Sequence, residues 1–183
     1  MIIKKFAFCG CSSLTDISIS SSLYTINKFT FCRCTSLKEI NIPLSVVIIK
    51  NGAFKQCSSL TQIKIPPSVN SIGESAFSGC SLLTQIKIPP SVASIGNYAF
   101  SGCSSLKQIT IPSSVTSIGY DTFKGCSPEQ MSLPLSLILS AKIQFNTIKT
   151  LEITGNYQHI ATKLFSRCSS LTQITIPSSV TSI

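Results

Sequence analysis

Apolar residues recur along this chain in one fixed order. Between Cys103 and Cys126 they fall at Leu106, Ile109, Ile111, Val115, Ile118 and Phe123, with Pro112 after the second Ile and Gly119 after the third. The Cys recurs at Cys11, Cys34, Cys57, Cys80, Cys103 and Cys126, at intervals of 126 − 103 = 23 residues. A Phe stands three residues before each one, at Phe8, Phe31, Phe54, Phe77, Phe100 and Phe123. Self-similarity at a period of 20–50 residues means that each unit buries its apolar side by stacking on its neighbours.

The order predicts the elements of one coil. Ile109 and Ile111 alternate with Thr110, so a short strand turns both Ile inward and Thr110 outward. Pro112 has no N–H to continue a ladder and ends that strand at a corner. Val115-x-x-Ile118 reads as a second, shorter extended piece, and the Gly that follows (Gly73, Gly96, Gly119) as relief for a tight turn. The stretch up to Phe123 reads as about one helical turn, with Phe as its anchor. Turns stacked at the strand spacing of ~4.8 Å, about eight of them, make a body roughly 40 Å long.

After Cys126 the order slips. Pro128 and Met131 stand off the pattern, and Pro134 comes one place early. It resumes if Phe145 takes the Cys position: Ile148, Leu151, Ile153, Tyr157, Ile160 and Phe165 then fall on apolar places, with Cys168 following at the regular interval. The irregular unit is 145 − 126 = 19 residues long. The chain thus reads as one solenoid over 1–183, regular over 1–126 and 145–183, with a shortened, kinked turn at 127–144. Ile3 and Ile183 share the phase of Ile118, and neither end carries a divergent polar repeat. Solenoids need caps over their terminal strand edges. The expectation is a fragment of a longer array, or ends covered by end-to-end self-association.

The repeat Leu-x-x-Ile-x-Ile-Pro-x-x-Val-x-x-Ile-Gly-x-x-Ala-Phe-x-x-Cys resembles the BspA-like, or treponemal-type, leucine-rich repeat. Ser114 stands where ordinary leucine-rich repeats carry the Asn of a buried ladder, which fits the treponemal type. The resemblance implies a leucine-rich-repeat solenoid of short parallel β-strands, turns and brief helical segments, used for contact with a protein ligand. Related bacterial proteins are surface adhesins, and similar families in mucosal protozoan parasites are often surface-associated. That gives two functional expectations: a non-enzymatic binding protein of a cell surface or membrane, or an intracellular scaffold or regulatory subunit in a signalling pathway. A fold alone does not choose between them.

Composition sharpens this picture in two ways. Charged residues make up only 11% of the chain, so Ser, Thr, Gln and Asn do much of the solvating. The net charge of +9 allows attraction to anionic surfaces. The Lys residues are scattered, so there is no basic tail and no specific nucleic-acid site is expected. Leu133–Leu139, the most apolar window, is far shorter than the ~20 residues that span a bilayer. The first ten residues lack the sustained apolar run of a secretory signal. These features point to the cytoplasm, the resemblance to a cell surface.

Nine cysteines raise three chemistries. Cys9-Gly-Cys11 and Cys32-Arg-Cys34 would be stacked, and four thiols could serve as metal ligands. Against that, Cys11 and Cys34 belong to the core column, and alternate residues rarely converge without a dedicated loop. Disulfides are disfavoured by the odd count and the missing signal, which leaves free, buried, quiet thiols. A Cys nucleophile needs a base, and His159, the single His, falls at the outward phase of Ser117. Asp16, Glu39, Glu74, Asp121, Glu129 and Glu152 form no evident acid–base pair. The glycines match no phosphate-binding loop, and the Phe column is core, unavailable for stacking on bases. No enzyme activity and no cofactor are expected.

What varies from turn to turn is the outward side of the first strand. One row holds Ser18, Asn41, Lys64, Lys87, Thr110, Glu152 and Thr175. The next holds Asp16, Glu39, Gln62, Gln85, Gln108, Thr150 and Gln173. Such rows are ordinarily a solvated sheet face. In a solenoid they also form an extended binding strip, here acidic over its first two turns and basic at Lys64 and Lys87.

Overall fold

The structure is a computed structural model and describes residues 2–140, 147–161, 164–166 and 168–183. Two parallel sheets run along one coil. The first joins β1 (Thr25–Ile26), β2 (Ile48–Ile49), β3 (Ser71–Ile72), β5 (Ser94–Ile95) and β7 (Ser117–Ile118) in that order. The second joins β4 (Gln85–Lys87), β6 (Gln108–Thr110), β8 (Gln130–Pro134), β9 (Thr150–Thr154) and β10 (Gln173–Thr175). Register follows the repeat: Ser71 pairs with Ser94 and Ile72 with Ile95, as Gln85 pairs with Gln108 and Ile86 with Ile109. An isolated bridge between Asn41 and Lys64 carries the second sheet's line back toward the N-terminus. Regular turns number about six rather than eight. Residues 2–24 contribute no strand, and the turn after Cys126 is rebuilt.

The core between the sheets is a set of columns. Phe8, Phe31, Phe54, Phe77, Phe100 and Phe123 stack ring on ring, with centroids 5.3 to 5.7 Å apart. From Cys34 to Cys126 each column thiol donates to the carbonyl of the Phe in the turn before, as Cys57 Sγ does to Phe31 O at 3.1 Å and Cys80 Sγ to Phe54 O at 3.2 Å. The Ser after the corner does the work expected of Ser114: Ser68 Oγ donates to Val46 O, Ser91 Oγ to Val69 O and Ser114 Oγ to Val92 O, at 2.6 to 3.0 Å. Small polar groups thus satisfy carbonyls that burial would otherwise leave unpaired.

The stretch leading to Phe is not a helical turn. Each regular unit has two residues in the left-handed region, five and one before the Cys: Ser75 and Gly79, or Tyr98 and Gly102. This alternation turns N–H groups across the stack instead of along the chain. Phe54 N–H donates to Ala76 O at 2.8 Å and Gln56 N–H to Ser78 O at 2.7 Å. A helical turn would keep those bonds within one unit and leave neighbouring turns unjoined on this side. The glycines after the second strand also differ from expectation. Gly73 and Gly96 have no positive φ, but a Cβ on Gly73 would stand 2.6 Å from Asn51 N and one on Gly96 2.5 Å from Glu74 N. They allow close approach of stacked turns.

The slip after Cys126 has a simple anatomy. Gln130 pairs with Gln108, an offset of 130 − 108 = 22, so one residue is missing before β8. Thr150 pairs with Gln130, an offset of 150 − 130 = 20, so three more are missing after it. Met131 therefore fills the Ile109 column at 2% exposure, and Pro128 is buried. Both are on the pattern once the register is corrected. Directly after β8, α1 (Leu135–Ser140) replaces the second strand and buries Leu135, Leu137 and Ile138. Phe145 lies outside the described residues. Ile148, Leu151, Ile153 and Ile160 are buried, and Tyr157 and Phe165 half-buried.

Candidate functional site

The outward rows divide into two parts. Asp16, Ser18, Glu39, Asn41, Gln62, Lys64, Gln85, Lys87, Gln108 and Thr110 line one open groove of about 1110 Å³. Between and beneath them lie Ile17, Ile40, Ile63 and Ile86, with Pro67, Pro89 and Pro90 along the corner. The groove exists because each strand alternates: the inward Ile fix the sheet, and the outward residue is free to differ. Thr150, Glu152, Gln173 and Thr175 stand on the same sheet but outside the groove, Thr150 paired with Gln173 and Glu152 with Thr175. Reading the sequence missed two members of these rows. Gln130 pairs with Gln108 and Ser132 with Thr110. The early Pro134 was the signal that could have found them.

Charge along the groove changes sign. Asp16 and Glu39 are exposed at one end, and Lys64 and Lys87 are exposed on the following two turns. Among the described residues none of these four takes part in an ion pair. The recorded pairs lie elsewhere: Glu129 bridges Lys149 at 2.9 Å and Lys107 at 3.4 Å, and Lys124 meets Asp121 at 3.2 Å. Lys149, and after it Lys107, hold the Glu129 carboxyl below the usual range. The groove thus presents uncompensated charge of both signs above an apolar floor.

The other candidates do not gather into chemistry. All nine cysteines are free thiols. Burial pushes Cys34 up to about 11 and Cys80 up to about 12, and raises Cys57 as well, so these three column thiols stay protonated and unreactive. His159 is exposed, and its Nδ1 lies 2.6 Å from Ser182 Oγ. Among the described residues no three His, Cys, Asp or Glu side chains come together as metal ligands. None of the described helices is long and apolar enough to cross a membrane.

The sequence model of the BspA type leucine-rich repeat region matches this chain in six copies, over residues 1–130 and 80–183. No curated protein matches it. Among solved structures it is similar to a leucine-rich repeat protein from Bacteroides ovatus, at 25% identity and a TM-score of 0.50, covering 98% of this chain and 65% of that one. It is similar to the leucine-rich repeat protein of T. pallidum at 25% identity and a TM-score of 0.57, covering 94% and 61%. A leucine-rich cell surface protein from Faecalibacterium prausnitzii is also similar, at 25% identity and a TM-score of 0.50, covering 93% and 62%. The chain therefore spans less than two thirds of the length of each.

Proposed function

Because the chain belongs to the BspA type leucine-rich repeat family, we propose that it is a non-enzymatic protein-binding module of a cell surface or membrane, with the strand-face groove as its contact site. The observation that carries this is the contrast between floor and rim. Ile recurs at Ile17, Ile40, Ile63 and Ile86 beneath the groove, while the two rim rows change along it, from Asp16 and Glu39 to Gln62, Gln85 and Gln108 and from Ser18 and Asn41 to Lys64, Lys87 and Thr110. Stability of the coil requires the first and is indifferent to the second. A ligand segment lying along the groove would set cationic groups over Asp16 and Glu39 and anionic groups over Lys64 and Lys87. Exposed pairs of that kind contribute about 0–1 kcal/mol each, and their main effect is on encounter rate and register. Contact with the exposed corner prolines Pro67 and Pro90 supplies the rest. The similarity to the F. prausnitzii cell surface protein supports the location.

Two experiments test this reading. Proteins of the source cells are captured on the unsubstituted chain, on Lys64→Glu/Lys87→Glu, and on Lys124→Glu, which lies outside the groove. The expected result is at least a tenfold loss of a saturable partner for the double variant alone. Equal capture by all three would refute the groove as the contact site. For location, intact source cells are treated with protease while a cytosolic marker is monitored. Cleavage of this protein with the marker intact is expected. Survival until lysis would move it to an intracellular scaffold.

A further inference from the structure

Two cysteines that the core does not use stand one above the other. Cys9 and Cys32 lie two residues before the Cys column, where the next four turns carry Lys55, Ser78, Ser101 and Lys124. Backbone bonds clamp their turns together on both sides: Phe8 N–H donates to Thr30 O at 2.9 Å and Gly10 N–H to Cys32 O at 2.7 Å. Equivalent side chains of these two turns are accordingly close. The Phe6 and Phe29 rings stack at 5.0 Å and the Phe8 and Phe31 rings at 5.4 Å. Backbones joined by such hydrogen bonds lie at the strand spacing of about 4.8 Å, which is inside the roughly 4.4–6.8 Å between Cα atoms that a disulfide tolerates. The Cys9 and Cys32 side chains are close enough to act on one another electrostatically. Cys9 is exposed, and Cys32 is buried at 7% exposure.

Their neighbours in the core column are differently placed. Cys34 Sγ is committed to Phe8 O at 3.2 Å, and Cys57 Sγ to Phe31 O. The residues next to the pair, Gly10 and Arg33, line a second open groove of about 500 Å³.

We propose that Cys9 and Cys32 form a thiol–disulfide site that takes low-molecular-weight disulfides of the glutathione class. The exposed Cys9 thiolate attacks one sulfur of the disulfide, forming a mixed disulfide and releasing one thiolate. The Cys32 thiolate then attacks Cys9 Sγ and expels the second. Two protein thiols are oxidised to one disulfide, the small disulfide is reduced to two thiols, and the two protein protons go to the leaving thiolates. Burial, and after it the Cys9 neighbour, raise the Cys32 thiol above its ordinary value, and Arg33 and Lys55 offset this in part. Arg33 also offers its guanidinium to a carboxylate of the incoming disulfide. The product joins the first turn covalently to the second.

The test uses the full chain and oxidised glutathione. After incubation under native conditions, remaining thiols are alkylated and the chain is cut with trypsin. Cys9 and Cys11 then fall in peptide 6–28, Cys32 in 29–33 and Cys34 in 34–38. The expected product joins 6–28 to 29–33 and is lighter by the two thiol hydrogens. It persists in Cys11→Ser, which leaves both reacting thiols and the buried column in place. In Cys32→Ser, with its circular dichroism unchanged, the reaction stops at a glutathione adduct on Cys9. The proposal is overturned by a lasting Cys9 adduct in the unsubstituted chain, by linkage of 6–28 to 34–38, by a bond between Cys9 and Cys11, or by no reaction at Cys9.

Discussion

Replacing Gly96 by Ala adds one methyl group at a point where the structure has no room for it. The new Cβ would stand 2.5 Å from Glu74 N, 2.7 Å from Gly73 C and 2.8 Å from Glu74 Cα. All three are backbone atoms of the preceding turn, so no side chain can swing aside. Gly96 N–H is itself bonded to Ile72 O at 2.8 Å, and that bond fixes the two turns at their stacking distance. Forcing an extra carbon into a packed site costs about 1–3 kcal/mol, and a rigid backbone neighbour places this case toward the upper end. The loss of chain entropy in the unfolded state returns about 0.4–1 kcal/mol. The net expectation is a destabilisation of about 2 kcal/mol. For a chain of this size, about 2–4 °C per kcal/mol gives a fall in Tm of about 4–8 °C.

Gly102→Ala is the matched control. Its φ of +75° strains any side chain, but its nearest neighbour is Gly79 Cα at 3.6 Å, so only the strain of about 1 kcal/mol applies. Thermal melts followed by circular dichroism should order the three proteins as unsubstituted, Gly102→Ala, Gly96→Ala. A Gly96→Ala melt at or above that of Gly102→Ala would refute close approach as the reason for this glycine.

Other outcomes follow from the same columns. Phe77→Ala removes a fully buried ring stacked on both Phe54 and Phe100 and should cost about 3–5 kcal/mol in denaturant midpoint terms. Phe8→Ala, half-buried and stacked on Phe31 alone, should cost about half as much. Lys149 and Lys107 lower the folded-state pKa of Glu129, so its stabilising contribution is present above the ordinary carboxylate value of about 4.3 and lost as pH falls through the lower folded value. Glu129→Gln should therefore reduce the acid slope of the melting curve below about pH 5. Because both pairs are largely exposed, about 0.5 M salt should erase most of the difference.

The sequence was most informative where one residue type serves one physical need on every turn. A large ring at each regular Phe place and a small thiol at each regular Cys place can be read at once, because each recurs at the same interval of the repeat. The left-handed positions could not be read. Phe6, Phe29, Gly52, Ser75, Tyr98 and Asp121 share the same backbone conformation with almost no residue type in common. A conformation enforced by hydrogen bonds to the next turn leaves little trace in side-chain chemistry. Gly73 and Gly96 were legible as special but not for the right reason, since closeness between turns is a property of the stack. Met131 looked out of place only because a deletion before β8 had moved the frame. The rim of the groove was visible as variable outward residues. Its confinement to Asp16 through Thr110 was not, because the extent of a groove is a property of the stacked turns and not of any one residue.

The most direct test of the groove places a photoreactive amino acid at Gln62, in the middle of its rim, and separately at Gln173, on the same sheet but outside it. Each protein is irradiated with source-cell surface proteins, and crosslinked products are separated by size. The account predicts one saturable crosslinked species from position 62 and none from position 173. Equal crosslinking from both positions, or crosslinking from position 173 alone, would contradict it.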